Sequence, residues 1–183
     1  VAGWMHFFIF WGFVTVSIGT LETLVNGMFP SVSVKSLFGE SLILNLYLFS
    51  QDWGNFLVFL AVGFALCRRI FIPPARLASL ARASKIDALI VLGLIFTLVT
   101  TELLVLGAKS NILGSYGLPG GPLAMSNIFA SALGVVFGIS TSDGWGILAG
   151  TMWWLHALTL FGFMVFVPFS KHQHFLWVWP NML

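Results

Sequence analysis

Apolar residues run through this chain in long unbroken stretches, not in the alternation of a strand or the single stripe of a surface helix. Such stretches need to be about 20 residues long to cross a lipid bilayer as a helix. Four qualify, and they predict membrane-spanning helices at about residues 4–28, 53–72, 86–106 and 146–169. The punctuation between them agrees. Asn26-Gly27 and Pro30 close the first run. The second ends in Arg68-Arg69, after which Pro73-Pro74 forbids further helix. A polar, basic stretch, PPARLASLARASK, leads into the third, and a loop rich in Gly and Pro at 109–122 follows it. A shorter piece around Leu42 to Phe49 reads as amphipathic. Residues 122–139, PLAMSNIFASALGVVFGI, suit either a short crossing or a helix lying along the membrane interface.

Charge chooses between those two readings. Arg68, Arg69, Arg76, Arg82 and Lys85 mark the connection between the second and third runs as cytoplasmic. If 122–139 stays at the interface, Lys171 falls on the same side, and six of the eight positive charges lie inside, with only Lys35 and Lys109 outside. The expected architecture is therefore an all-α integral membrane protein: one bundle of about four transmembrane helices plus an interfacial helix, multi-pass in the cytoplasmic membrane. Composition strengthens this picture. Hydrophobic residues make up 58% of the 183 and charged residues 8%, against about 25% charged in soluble domains, and the mean hydropathy is +0.99.

Several function classes drop out. A net charge of +2 is too small to suggest nucleic acid. The single cysteine, Cys67, permits neither an internal disulfide nor an iron–sulfur site built from this chain alone. GLPGGP lacks the lysine of a phosphate loop, and SKHQH without cysteine or a nearby carboxylate is a weak zinc site. No internal repeat supports a transporter of inverted halves. The first run lacks the features of a cleavable signal, and both ends read as boundaries of something longer.

The chemistry-bearing residues are the histidines. His6, His156, His172 and His174 all fall in or at the ends of the first and last runs. An imidazole in a membrane helix is costly without a partner, and heme iron is one partner it accepts. His156 and His174 are 18 residues apart, five full helical turns, so an unbroken helix would face them the same way, about 27 Å apart; His172 would point about 160° away from His156. Pro168 can disturb that phase. With His6 and His174 both near the cytoplasmic face, a bis-histidine heme between their helices is geometrically sensible. The competing reading leaves His172 and His174 in the headgroup zone beside Lys171. Gly12, Gly19, Gly146, Gly150 and Gly162 leave room for a macrocycle or for close helix packing.

Other candidates carry their own alternatives. Asp87, Glu102 and Lys171 are candidates for proton exchange with a quinone, although Asp87 equally suits a salt bridge to Arg82 or Lys85, and Glu102, like Glu22, suits solvation near the outer face. Arg68, Arg69 and Arg76 set orientation and touch anionic lipid, or pair with heme propionates. Trp153 and Trp154 pack on a cofactor ring or join an interfacial belt.

Three stretches, HFFIFWGFVTVSIGT (6–20), RRIFIPPARLASLARASKIDALI (68–90) and WWLHALTLFGFMVFVPFSKHQHFLWVWPN (153–181), resemble the membrane part of the heterodisulfide reductase-related iron–sulfur oxidoreductases. The cytochrome b domain of that family is similar to the gamma subunit of respiratory nitrate reductase, and PFSKHQH…N is the most specific part of the match. The resemblance implies a nitrate reductase gamma-like bundle holding one or two hemes b, with menaquinone as substrate. It also implies a cytoplasmic domain or subunit carrying [4Fe–4S] clusters, and electron-transfer flavoprotein or another soluble donor as partner. His6 fits the cytoplasmic-side ligand, and the last-helix pair fits His156 and His174. Val16 stands where a second first-helix histidine is expected. A single heme, a second heme with an unusual ligand such as methionine, or a partner from a helix upstream of this sequence all remain open for His156. The implied function is electron transfer between an iron–sulfur partner and the menaquinone pool. The alternative is a heme-free membrane anchor that binds quinone within a respiratory redox complex.

Overall fold

The computed structural model describes residues 2–29, 31–32, 34–39, 41–72, 82–112 and 124–170. Among them every regular element is helical. The order is α1 (Ala2–Met28), α2 (Val34–Phe38), α3 (Leu42–Phe71), α4 (Arg82–Ile112), α5 (Met125–Phe137) and α6 (Ser142–Phe166), closed by a 3₁₀ turn at Val167–Phe169. Three stretches are long and apolar enough to cross a membrane: Leu42–Phe71, Lys85–Ile112 and Ser142–Phe169. The predicted first span forms the single 27-residue helix α1.

Local chemistry sets several of the helix ends. Ser41 and Thr141 cap α3 and α6, their hydroxyls accepting from the amides of Leu44 (3.3 Å) and Gly144 (3.1 Å). Gly138 ends α5 with φ +69°, a left-handed conformation that a side chain would strain. Pro168 has no amide to donate, and the last helix tightens there into the 3₁₀ turn, with Ser170 capping it back to Val167. The five-turn relation between His156 and His174 needs unbroken α-helix between them. α6 ends at Phe166 and the 3₁₀ turn follows it; His174 lies outside the described residues.

The amphipathic piece predicted near Leu42–Phe49 is not separate: it forms the first turns of α3, which starts at Leu42 and not near Trp53. Gln51, Asp52 and Asn55, just after that piece, are buried inside the bundle. Gln51 and Asp52 bond to other helices and Asn55 to the Gln51 carbonyl of its own, so polarity here marks interior positions along one helix.

Packing centres on α4, which touches α3, α5 and α6, while α1 packs on α3. One apolar cluster joins Val16 of α1, Val58 and Val62 of α3 and Val99 of α4. A second joins Leu104 and Ala108 of α4, Ala130 of α5, and Trp145 and Ala149 of α6. Phe59 bridges the two, stacking on Phe96 (5.0 Å) and meeting Phe129 edge-on (5.1 Å). Small residues allow the closest approaches. A Cβ on Gly107 would strike the Ser126 carbonyl, and one on Gly12 would strike Val58. Of the glycines read as room for a macrocycle, Gly12 and Gly19 are thus filled by α3, against Val58 and Gln51, whereas Gly146, Gly150 and Gly162 face open space. Large apolar side chains such as Phe64, Leu158, Phe161 and Val165 stand on outer faces, as suits helices solvated by lipid tails.

A buried histidine between the central helices as candidate site

The α4–α6 pair carries the most distinctive polar arrangement. His156, midway along α6, is 3% exposed. Its Nδ1 lies 3.0 Å from the Thr101 Oγ1 and 3.2 Å from the Leu98 carbonyl oxygen, both on α4. A carbonyl can only accept, so these contacts suit the tautomer with the proton on Nδ1. Thr101 is compatible with this, since its own hydroxyl hydrogen goes back to the carbonyl of Thr97 (2.8 Å) or Leu98 (2.9 Å), leaving its oxygen free to accept from the ring. A neutral imidazole protonated at Nδ1 has a bare lone pair at Nε2. That Nε2 is buried and has no hydrogen-bond partner among the described residues. An oriented Nδ1–H with a free Nε2 is how metal-bound histidines are usually held.

Glu102 stands beside this histidine, its Oε2 3.8 Å from Nδ1, beyond hydrogen-bond range. It is 8% exposed. Solvation near the outer face is therefore the wrong picture for Glu102: the helix turns it inward, against α6. It is also within electrostatic reach of Lys109 and Glu22. Glu22 in turn joins three elements. Its Oε2 accepts from the Tyr47 hydroxyl on α3 (2.6 Å), and its Oε1 from the Val34 amide at the start of α2 (3.0 Å). Glu22 is thus a clamp between helices, and the solvated role weighed for it does not hold.

A second polar layer surrounds the start of α5. Ala124, in the capping position, offers no side-chain acceptor. Asp52 of α3 supplies it, with Oδ2 2.7 Å from the Met125 amide and Oδ1 2.9 Å from the Ser126 amide. Asn111 of α4 donates to Asn127 (2.9 Å) on α5. Gln51 donates to the Thr15 carbonyl, tying α3 to α1.

The remaining predicted residues are dispersed. His6 lies on α1, and Arg68 and Arg69 lie half-buried on the last turn of α3. Asp87 is half-buried near the start of α4. Trp153 and Trp154 pack edge to face at 5.0 Å, and Trp154 is 64% exposed on the outside of α6. Val16 is buried among valines. Arg76, Lys171, His172 and His174 lie outside the described residues. Among the described residues no three His, Cys, Asp or Glu side chains gather as a metal-ion cluster. His156 is the histidine whose side chain lies within the described residues. The sequence reading missed Thr101, Leu98 and Asp52. Thr101 gave one signal, being next to Glu102 in an otherwise apolar stretch, but nothing in the sequence pairs it with a residue 55 positions away.

No family model matches this chain, and no solved structure matches it. It is 28% identical over 180 residues to a Bacillus subtilis (strain 168) protein named "Probable iron-sulfur-binding oxidoreductase FadF". That similarity covers 96% of this chain and 23% of the relative, so the chain spans less than a quarter of the relative's length.

Proposed function

We propose that this chain is the heme-bearing membrane segment of an electron-transferring oxidoreductase, passing electrons between an iron–sulfur partner and menaquinone. The observation that carries the reading is the buried, unpartnered Nε2 of His156. Leaving such an atom unsatisfied costs about 1–3 kcal/mol, and ligation to iron removes that penalty. The relative named as iron–sulfur-binding supports the partner, and the single cysteine of this chain means that the clusters belong to another domain or subunit.

Heme b, when bound, supplies a reversible one-electron couple; the protein supplies ligands, orientation and a low dielectric. His156 would hold the heme iron through Nε2, and His6, His174 and His172 are the further candidate ligands. Arg68, Arg69 and Arg76 are the candidates for pairing with heme propionates at the basic membrane face. Asp87, Glu102 and Lys171 are the candidates for proton exchange at the quinone. The partner docks on the basic side, with electron-transfer flavoprotein as a possible donor, and the chain resides in the cytoplasmic membrane.

A second reading rests on the same atom. A hydroquinone hydroxyl could donate to the bare Nε2, which would make the chain a heme-free, quinone-binding anchor. Heme stoichiometry and a reduced-minus-oxidised spectrum of the purified protein decide between them. The first reading expects a b-type alpha band that is diminished in His156→Ala. A protein with no such band, or a band untouched by His156→Ala, His6→Ala and His174→Ala alike, would leave only the anchor.

A further inference from the structure

We infer that Thr101 is a positioning residue for the histidine ligand: its hydroxyl oxygen, together with the Leu98 carbonyl, holds the Nδ1–H of His156 so that Nε2 alone faces the metal, and this strengthens the imidazole as a donor. The inference rests on the heme reading above and adds to it a residue on a different helix.

Three threonines of α4 bond back to their own helix. Thr97 donates to Gly93 (2.9 Å), Thr100 to Phe96 (2.6 Å) and Thr101 to Thr97 (2.8 Å). Of the three, Thr101 reaches across to α6. The back-bond fixes which way the hydroxyl hydrogen points and so aims an oxygen lone pair at Nδ1. Thr101 is 2% exposed, and its branched Cβ further restricts rotation. Its oxygen therefore acts as a fixed acceptor. The Leu98 carbonyl, one turn earlier, shares the same proton.

Two effects follow. A ring held at Nδ1 cannot flip to offer the wrong nitrogen, so the ligand is preorganised. Pulling on Nδ1–H also raises the basicity of Nε2, which favours ferric over ferrous iron and lowers the reduction potential.

The test uses the whole chain in lipid nanodiscs. Selective ¹⁵N-histidine spectra of the heme-free protein, assigned with His156→Ala, should show the Nδ1–H tautomer at His156; the Nε2–H tautomer there overturns the inference. Thr101→Val removes the hydroxyl and keeps the shape. It should weaken heme binding roughly tenfold to a hundredfold and raise the midpoint potential, a tenfold loss of ferric preference reading as about 59 mV for one electron. Thr101→Ser should restore both towards the parent values. If Thr101→Val matches the parent in affinity and potential while His156→Ala loses heme, the positioning role fails and the heme reading stands. If His156→Ala keeps its full heme content, the ligand assignment fails first. A Thr101→Val variant that loses heme and is not recovered by Thr101→Ser also counts against the inference, since a hydroxyl is then insufficient.

Discussion

The carboxylate of Asp52 on α3 receives the Ser126 amide at 2.9 Å, so a side chain from one helix caps the first turn of another. Asp52 is 1% exposed and Ser126 fully buried, and the Met125 amide joins the same carboxylate. The positive end of the α5 dipole thus meets its acceptor inside the bundle.

Removing that acceptor leaves two buried amides without partners. Asp52→Ala should lower stability by about 2–5 kcal/mol, and Asp52→Asn, which keeps one acceptor, by less. Thermal unfolding in detergent or lipid reads the difference. Equal stabilities for Asp52→Ala and the parent would mean that the cap contributes nothing.

Tyr47 and Glu22 form a second such link, at 2.6 Å. A hydrogen bond to a carboxylate contributes about 1.5–3 kcal/mol, so Tyr47→Phe should destabilise by roughly that amount. Glu22→Gln should cost less on its own. In a double-mutant cycle the two losses should be clearly non-additive; strict additivity would show that the pair does not interact in the membrane.

Topology gives a test that needs no cofactor. Lys109 is exposed on the last turns of α4, the end opposite the basic Arg82–Lys85 start. In a Cys67→Ala background, Lys109→Cys should react with a membrane-impermeant maleimide added to intact cells or spheroplasts. Labelling only after permeabilisation would reverse the assigned orientation.

Much of the helical framework could be read from apolar run length alone, because lipid selects for uniform stretches that are easy to see. The end of α3 followed from Arg68-Arg69 and Pro73-Pro74, and α5 from its apolar composition. Interior polarity was harder to read. Gln51, Asp52 and Asn55 look like a break between helices when only neighbours in sequence are considered. The role of Asp52 appears once the amides at 125 and 126 are known to need an acceptor, and that of Gln51 once the Thr15 carbonyl on α1 is placed beside it. Glu102 is a similar case: its place near one end of an apolar run suggests solvation, whereas its burial comes from the face it turns to α6. His156 stood out because an imidazole is conspicuous in an apolar helix. Thr101 did not, since back-bonded threonines are ordinary in membrane helices.

The placement of Glu102 and His156 on α4 and α6 also bears on the order in which the protein is made. A chain emerging from the ribosome delivers α4 to the membrane before α6 exists. Until then Glu102 stands in lipid without its neighbour, at an insertion penalty of about 2.5–3.5 kcal/mol for a carboxylate at mid-depth. The flanking residues of α4 are apolar enough to absorb this, as the highest hydropathy among the three spans attests. The extreme greasiness of α4 is thus the means by which an acidic residue is carried into the bilayer early and held there until the later helix arrives.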